Sequence, residues 1–190
     1  MKTALIVIDY INDITHPTGK ISHCASHTAE RGAIGKANRA LAIGRKRGWL
    51  NILVKVGFDR SYVDQPKHSP LFGRAHEFGA IALGTEGTDF HPDLDSSLGD
   101  LTIVKPRVSA FYGTNLDAVL RAQKVERLVV AGVSSTLAIQ STVREAHDRD
   151  YAVFVVEDAC AARSEEDHQM SMISLEAIAK IIRVEDLEGM

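Results

Sequence analysis

Cysteine is scarce in this sequence, with only Cys24 and Cys160 among 190 residues. Neither belongs to a CxxC pair or another metal-ligand spacing, and the count fits a reduced, cytosolic protein. An excess of one charge is also missing, since the formal net charge is −3 with acids and bases interspersed. Without a basic stripe, nucleic acid and membrane surfaces are excluded as expected partners, which leaves a small molecule or another protein. Long apolar runs are absent too. Ala4 to Ile8 is apolar, but Asp9 ends it short of a signal-peptide core, and nothing approaches a membrane span. A cytoplasmic location is therefore expected. Repeats, low-complexity tracts and linkers do not occur. At 45% hydrophobic content the chain can build one sizeable core, so a single domain over residues 1–190 is expected.

What is present is an alternation of short β-branched runs with longer helix-period segments. Ala4 to Ile8, Ile52 to Val56, Leu101 to Val104, Leu128 to Ala131 and Val153 to Val156 are apolar runs broken only by Lys55 and Thr102, as strands covered on both faces require, and a last strand is expected at Ile181 to Val184. Helical stripes run through Ile34, Ala37 and Leu41, through Leu116, Val119, Leu120 and Gln123, and through Met170, Ile173, Ala177 and Ile178. Thr114 with Asp117 and Ser164 with Asp167 have capping spacing, and Gly48 suits a helix stop. Strands alternating with helices imply right-handed crossovers and a three-layer α/β/α sandwich on a mostly parallel sheet, a Rossmann-like architecture. The exception is Phe58 to Asp100, which holds Pro66, Pro70 and Pro92 and one short helix at Leu71 to Phe78. A connection that long is expected to cover a cleft or join a subunit contact, because it needs an outside partner to order it.

Three strand ends carry polar groups that a core does not require: Asp9 in ALIVIDYIND, Lys105 in LTIVKPR and the turn AGVSST. In a parallel sheet these ends converge on one edge, where an acid, a base and the N–H groups of a helix start can serve proton transfer and oxyanion stabilisation. Each has a plainer reading. Asp9 alone can begin a turn, Lys105 before Pro106 can be solvated, and Ser134, Ser135 and Thr136 read as a helix-capping cluster. Cys160 reads as packing. Cys24 lies among His16, His23 and His27 in what reads as a solvated entrance loop, with no acidic ligand and irregular spacing for a metal.

These segments carry a resemblance. ALIVIDYIND, VKPRVSAFYGTNLDAVLRAQKVERLVVAGV and VFVVEDACAARSEEDH resemble, in order and across almost the whole chain, the isochorismatase-like cysteine hydrolase superfamily. The resemblance implies a parallel six-stranded sheet with helices on both faces, frequent homo-oligomers, and a site of aspartate, lysine and usually cysteine. Asp9 and Lys105 match the first two, at the ends of adjacent parallel strands and within a few ångströms of each other. The non-proline cis peptide of the family falls at Val133–Ser134, in a turn whose N–H groups face the substrate. The cysteine position, four residues after Ser134, is Ala138. Thr136, Gln140 and Ile11 depart from the family pattern as well, which points to natural drift of the site. Where the nicotinamidase branch binds a metal, this chain has Phe58-Asp59-Arg60 without clustered histidines, so no catalytic metal and no cofactor are expected.

Three functions follow from the resemblance. The first is a hydrolase without a covalent nucleophile, as in isochorismatases proper, where Asp9 protonates an enol ether, Lys105 orients a substrate carboxylate, and Phe111 and Tyr112 form an apolar wall. The second is an amidase-type relative with another nucleophile. The third is a silent binding or assembly member, against which the retained acid and base argue.

Overall fold

A strand covered on both faces needs apolar side chains at every position, because successive residues point to opposite sides. In β1 (Thr3–Ile8), Ala4, Ile6 and Ile8 enter one core cluster, while Leu5 and Val7 enter another. The computed structural model describes residues 1–190 and builds the same logic into six parallel strands: β1, β2 (Leu50–Val56), β3 (Leu101–Lys105), β4 (Arg127–Val133), β5 (Ala152–Ala161) and β6 (Lys180–Ile182). Their order is β3-β2-β1-β4-β5-β6. The helices are α1 (Asn12–Thr15), α2 (Ala25–Glu30), α3 (Ala33–Lys46), α4 (Ala75–Phe78), α5 (Leu116–Ala122), α6 (Gln140–His147) and α7 (Glu165–Leu175). Residues of α5, α6 and α7 join the core on the face of Ile6 and Ile8, and residues of α3 and the terminal turn Val184–Gly189 join that of Leu5 and Val7. No helix is long and apolar enough to cross a membrane.

The chain leaves β1 in one direction through β2 and β3 and returns in the other through β4, β5 and β6. The switch therefore lies between β1 and β4, and the crevice beyond their carboxyl ends is where such sheets bind ligands.

Several local readings change. β1 and β3 are not neighbours, because β2 separates them. β3 is an edge strand buried only at alternate residues, Ile103 and Lys105, with Thr102 and Val104 exposed. The cause is its connection from β2, which is an irregular segment and not a covering helix. α7 buries His168, Ser171, Met172 and Leu175, whereas Met170 and Ile173 are exposed and Ala177 and Ile178 lie past the helix end. Polar residues occupy part of the buried stripe, so an apolar count mistakes its phase. Ser164 caps α7 by accepting the Asp167 N–H at 3.2 Å, and Gly48, at φ 68°, follows the end of α3. Thr114 does not cap with Asp117: the N-cap is Asn115, and Asp117 accepts the Tyr151 hydroxyl at 2.8 Å.

The connection from Phe58 to Asp100 needs no outside partner to order it. Its Phe58, Tyr62, Ala75, Ala80, Ile81 and Ala82 form a small core with Ile11 and Val56. Beneath it the buried Asp13 carboxylate accepts the Ile81 N–H at 2.6 Å and the Lys20 N–H at 3.3 Å. Asp13→Ala leaves the buried Ile81 donor unpaired, so it should lower stability by about 1–3 kcal/mol. Limited proteolysis should then cut within residues 58–100 first; cleavage at the wild-type rate would show that Asp13 does not hold this segment.

Candidate active site

Asp9 follows β1 with φ 58°, a left-handed conformation that aspartate tolerates better than most residues. Its N–H still pairs with Val54 O at 2.8 Å, but the side chain leaves the strand alternation: Oδ1 accepts the Val56 N–H at 2.8 Å, and Oδ2 lies 2.7 Å from Lys105 Nζ. β1 and β3 stand two strand spacings apart, roughly 10 Å, a gap that the long lysine spans over the end of β2. The pair is almost wholly enclosed, with Asp9 3% and Lys105 1% exposed, so Lys105 is not the solvated residue that the neighbouring Pro106 allowed. Lys105 also donates to Arg107 O at 3.2 Å. Burial raises the Asp9 carboxyl above its ordinary value, and the charge and hydrogen bond of Lys105 oppose that rise without cancelling it.

The Val133–Ser134 peptide is cis and ends β4, across the switch from Asp9. A π-helical turn, Ser135–Ile139, follows and leads into α6. Ser134 precedes it without a side-chain capping bond; its hydroxyl lies 3.3 Å from Thr136 Oγ1. Ser135 is buried against Nδ1 of His168 at 2.8 Å, so the serines do not form the capping cluster their types suggested. Ala138 is buried in this turn, in the same core cluster as Phe111. Phe111 stacks on Tyr151 with ring centroids 6.2 Å apart, while Tyr112 is exposed, so the two do not share one wall.

Both cysteines are buried, and burial pushes Cys24 up to about 11 and Cys160 up to about 12. The histidine loop is solvated only in part: His23 is exposed and His16 half-buried, whereas Cys24 and His27 are enclosed. His27 is buried, accepts the Ala162 N–H at 3.1 Å through Nδ1 and meets Glu165 at 3.0 Å through Nε2, an acid too distant in sequence to be seen as its partner. No group of three or more His, Cys, Asp or Glu side chains is arranged to hold a metal ion. A polar groove of about 510 Å³ opens beside α1, lined by Asn12, His16, Lys20, Glu86 and Phe90 among others, but contains neither Asp9 nor Lys105.

The isochorismatase domain family matches residues 3–186. The chain is 30% identical to the isochorismatase family protein YecD of Escherichia coli O157:H7 over 190 residues, covering 97% of this chain and 94% of that one. It is also 30% identical to the ureidoacrylate amidohydrolase RutB of Klebsiella pneumoniae, covering 83% of this chain and 72% of the relative. An isochorismatase family protein from Desulfovibrio vulgaris has the same fold with a TM-score of 0.88, at 26% identity and over 99% of this chain and 97% of that one. With the parallel sheet and the switch-point site already in place, these matches show that the chain belongs to the isochorismatase family, whose members are hydrolases.

Proposed function

We propose that this protein hydrolyses a small molecule by proton transfer through Asp9, without a covalent cysteine. The observation that carries the reading is the enclosed Asp9–Lys105 contact, 2.7 Å long, at the switch point of the sheet. Packing alone does not call for it, since apolar residues of like volume are often as stable there or more so. Burial keeps the Asp9 proton to higher pH than an ordinary carboxyl does, which suits a general acid that protonates an enol ether before water captures the cation. Lys105 holds the carboxyl in place and offers a positive charge to a substrate carboxylate. The turn after Val133 contributes N–H groups, and Ala138 stands where a thiol would attack. Tyr112 remains free to border an incoming ligand.

Relatedness to a ureidoacrylate amidohydrolase favours a second reading, cleavage of a small amide or ureido compound by activated water. A silent binding member would bind such ligands without turnover. The discriminating experiment is a screen of enol ethers, small amides, ureido compounds and esters, with Asp9→Asn as control. Turnover abolished in that variant supports the first two readings, according to the substrate accepted; binding with no turnover supports the third. A cytoplasmic homo-oligomer fits the composition and the exposed Leu137, Met170 and Ile173 on the neighbouring turn and α7.

Ala138→Cys tests the geometry without a substrate. If the turn holds position 138 beside Asp9, Lys105 and its own N–H groups, and the positive contributions outweigh the aspartate, a thiol there should alkylate faster than Cys24 or Cys160, whose ionisation burial pushes to about 11 and about 12. Residue-resolved mass spectrometry across a pH series measures this. An introduced thiol no faster than the native two would remove position 138 from the site.

A further inference from the structure

A line of polar side chains, buried at its inner end and reaching the surface at its outer end, stands behind the turn that follows β4, and the proton chemistry of Asp9 does not use it. Ser135 Oγ lies 2.8 Å from His168 Nδ1, and both residues are fully enclosed. The other ring nitrogen, Nε2, lies 3.3 Å from Glu157 Oε2 on β5. Arg31, just past α2, donates to the same Glu157 oxygen at 2.6 Å and to Glu165 at 2.6 Å, and Arg183 reaches the second Glu157 oxygen at 3.3 Å. Glu165 closes the line against His27, whose ring centroid is 6.1 Å from that of His168. The Ser135 carbonyl is held too, accepting the Ser171 hydroxyl at 2.6 Å.

The chemistry assigns directions to these bonds. Glu157 meets two guanidinium groups, which can only donate, and offers the same carboxyl edge to the ring, so His168 presents Nε2–H to it, Nδ1 is left as an acceptor, and the Ser135 hydroxyl is the donor. The order serine, histidine, carboxylate is that of an activated nucleophile, but a hydroxyl with no exposure cannot reach a substrate carbonyl. What it can do is hold the backbone it belongs to. That backbone is the turn between the cis peptide and position 138, and the line ties it to α7, β5 and α2 at once.

We propose that Ser135 and His168, oriented by Glu157 and Arg31, are positioning residues that fix the turn Ser134–Ala138 at the active site. The inference rests on the reading of that turn as part of the site, so two measurements separate the claims. The first is amide hydrogen exchange in Ser135→Ala, which removes a single oxygen, in His168→Leu, in the double variant, and in Ser135→Thr, which restores the hydroxyl. Each of the first two should speed exchange of the amides within residues 135–139 about tenfold, as the loss of one buried hydrogen bond does. The double variant should go no further, Ser135→Thr should return to wild type, and the amides of β1 and β2 should keep their rates. Unchanged exchange, an equal rise across the whole sheet, or no rescue by threonine would overturn the proposal. The second is the pH profile of thiol alkylation in the Ala138→Cys background, which Ser135→Ala and His168→Leu should shift equally. If exchange responds as expected while that profile stays still, the pin stands and the reading of the turn as site-facing fails. Labelling of Ser135 in the wild type by a fluorophosphonate would overturn the positioning role by making the hydroxyl reactive.

Discussion

Lys105→Met is expected to lower stability by about 3–5 kcal/mol at neutral pH, because it leaves the Asp9 carboxylate enclosed and unpaired. Asp9 is 3% exposed, and its remaining partner is the Val56 N–H. The penalty depends on pH with a definite sign. Burial already raises the Asp9 carboxyl, and loss of Lys105 removes what opposes that rise. A folded state that holds the proton more tightly than the unfolded chain is favoured at low pH, and that advantage is lost as pH rises towards the folded value. The deficit of the variant should therefore shrink as pH falls from neutral towards the ordinary carboxyl range, about pH 4, in urea denaturation. The double variant Asp9→Leu with Lys105→Met should recover much of the loss, since it removes both charges. A pH-independent deficit, or a double variant as unstable as the sum of the singles, would mean that the pair is not the cause. Activity should vanish in Lys105→Met, in Asp9→Leu and in the double variant.

Gly132→Ala should be nearly as damaging, for reasons of backbone and not of charge. Gly132 pairs with Ile8 in the centre of the sheet, at φ 137°, and a Cβ there would lie 2.2 Å from the Ile8 carbonyl oxygen and 2.7 Å from its nitrogen. A side chain strains that conformation by about 1–3 kcal/mol, and overlap with fixed backbone adds about 1–3 kcal/mol. Together these come to about 2–6 kcal/mol, so the melting temperature should fall by roughly 4–24 °C for a domain of this size. Gly35→Ala is the control, because nothing lies within 4 Å of its added Cβ in α3, and it should gain about 0.5–1 kcal/mol. Equal melting temperatures for Gly132→Ala and wild type would show that β1 and β4 can part without cost. They cannot part without separating Asp9 from the turn at Val133.

What the sequence disclosed follows from how locally each feature is encoded. Strands buried on both faces announce themselves as largely apolar runs, and β1, β4 and, despite Asn51 and Lys55, β2 were legible for that reason. Asp9 and Lys105 stood out because a charged residue directly after such a run has no packing role. Their separation by β2 was hidden, since strand order is a property of crossovers and not of the strands. The buried stripe of α7 was misread because His168 and Ser171 occupy it for the sake of Ser135, leaving Met170 and Ile173 outside. The signal that could have found it is the helical spacing of 168, 171, 172 and 175, visible only once polar residues are admitted to a buried face. His27 reads as a loop histidine until Glu165 is known to meet it.

The central claim is that hydrolysis depends on Asp9 and on no cysteine. It is tested most directly by comparing turnover of an accepted substrate in wild type, in Cys24→Ala with Cys160→Ala, and in Asp9→Asn. The double cysteine variant should keep its rate, and Asp9→Asn should lose about 10²–10⁴-fold in kcat. Loss of turnover with the cysteines, or its survival in Asp9→Asn, would contradict the account.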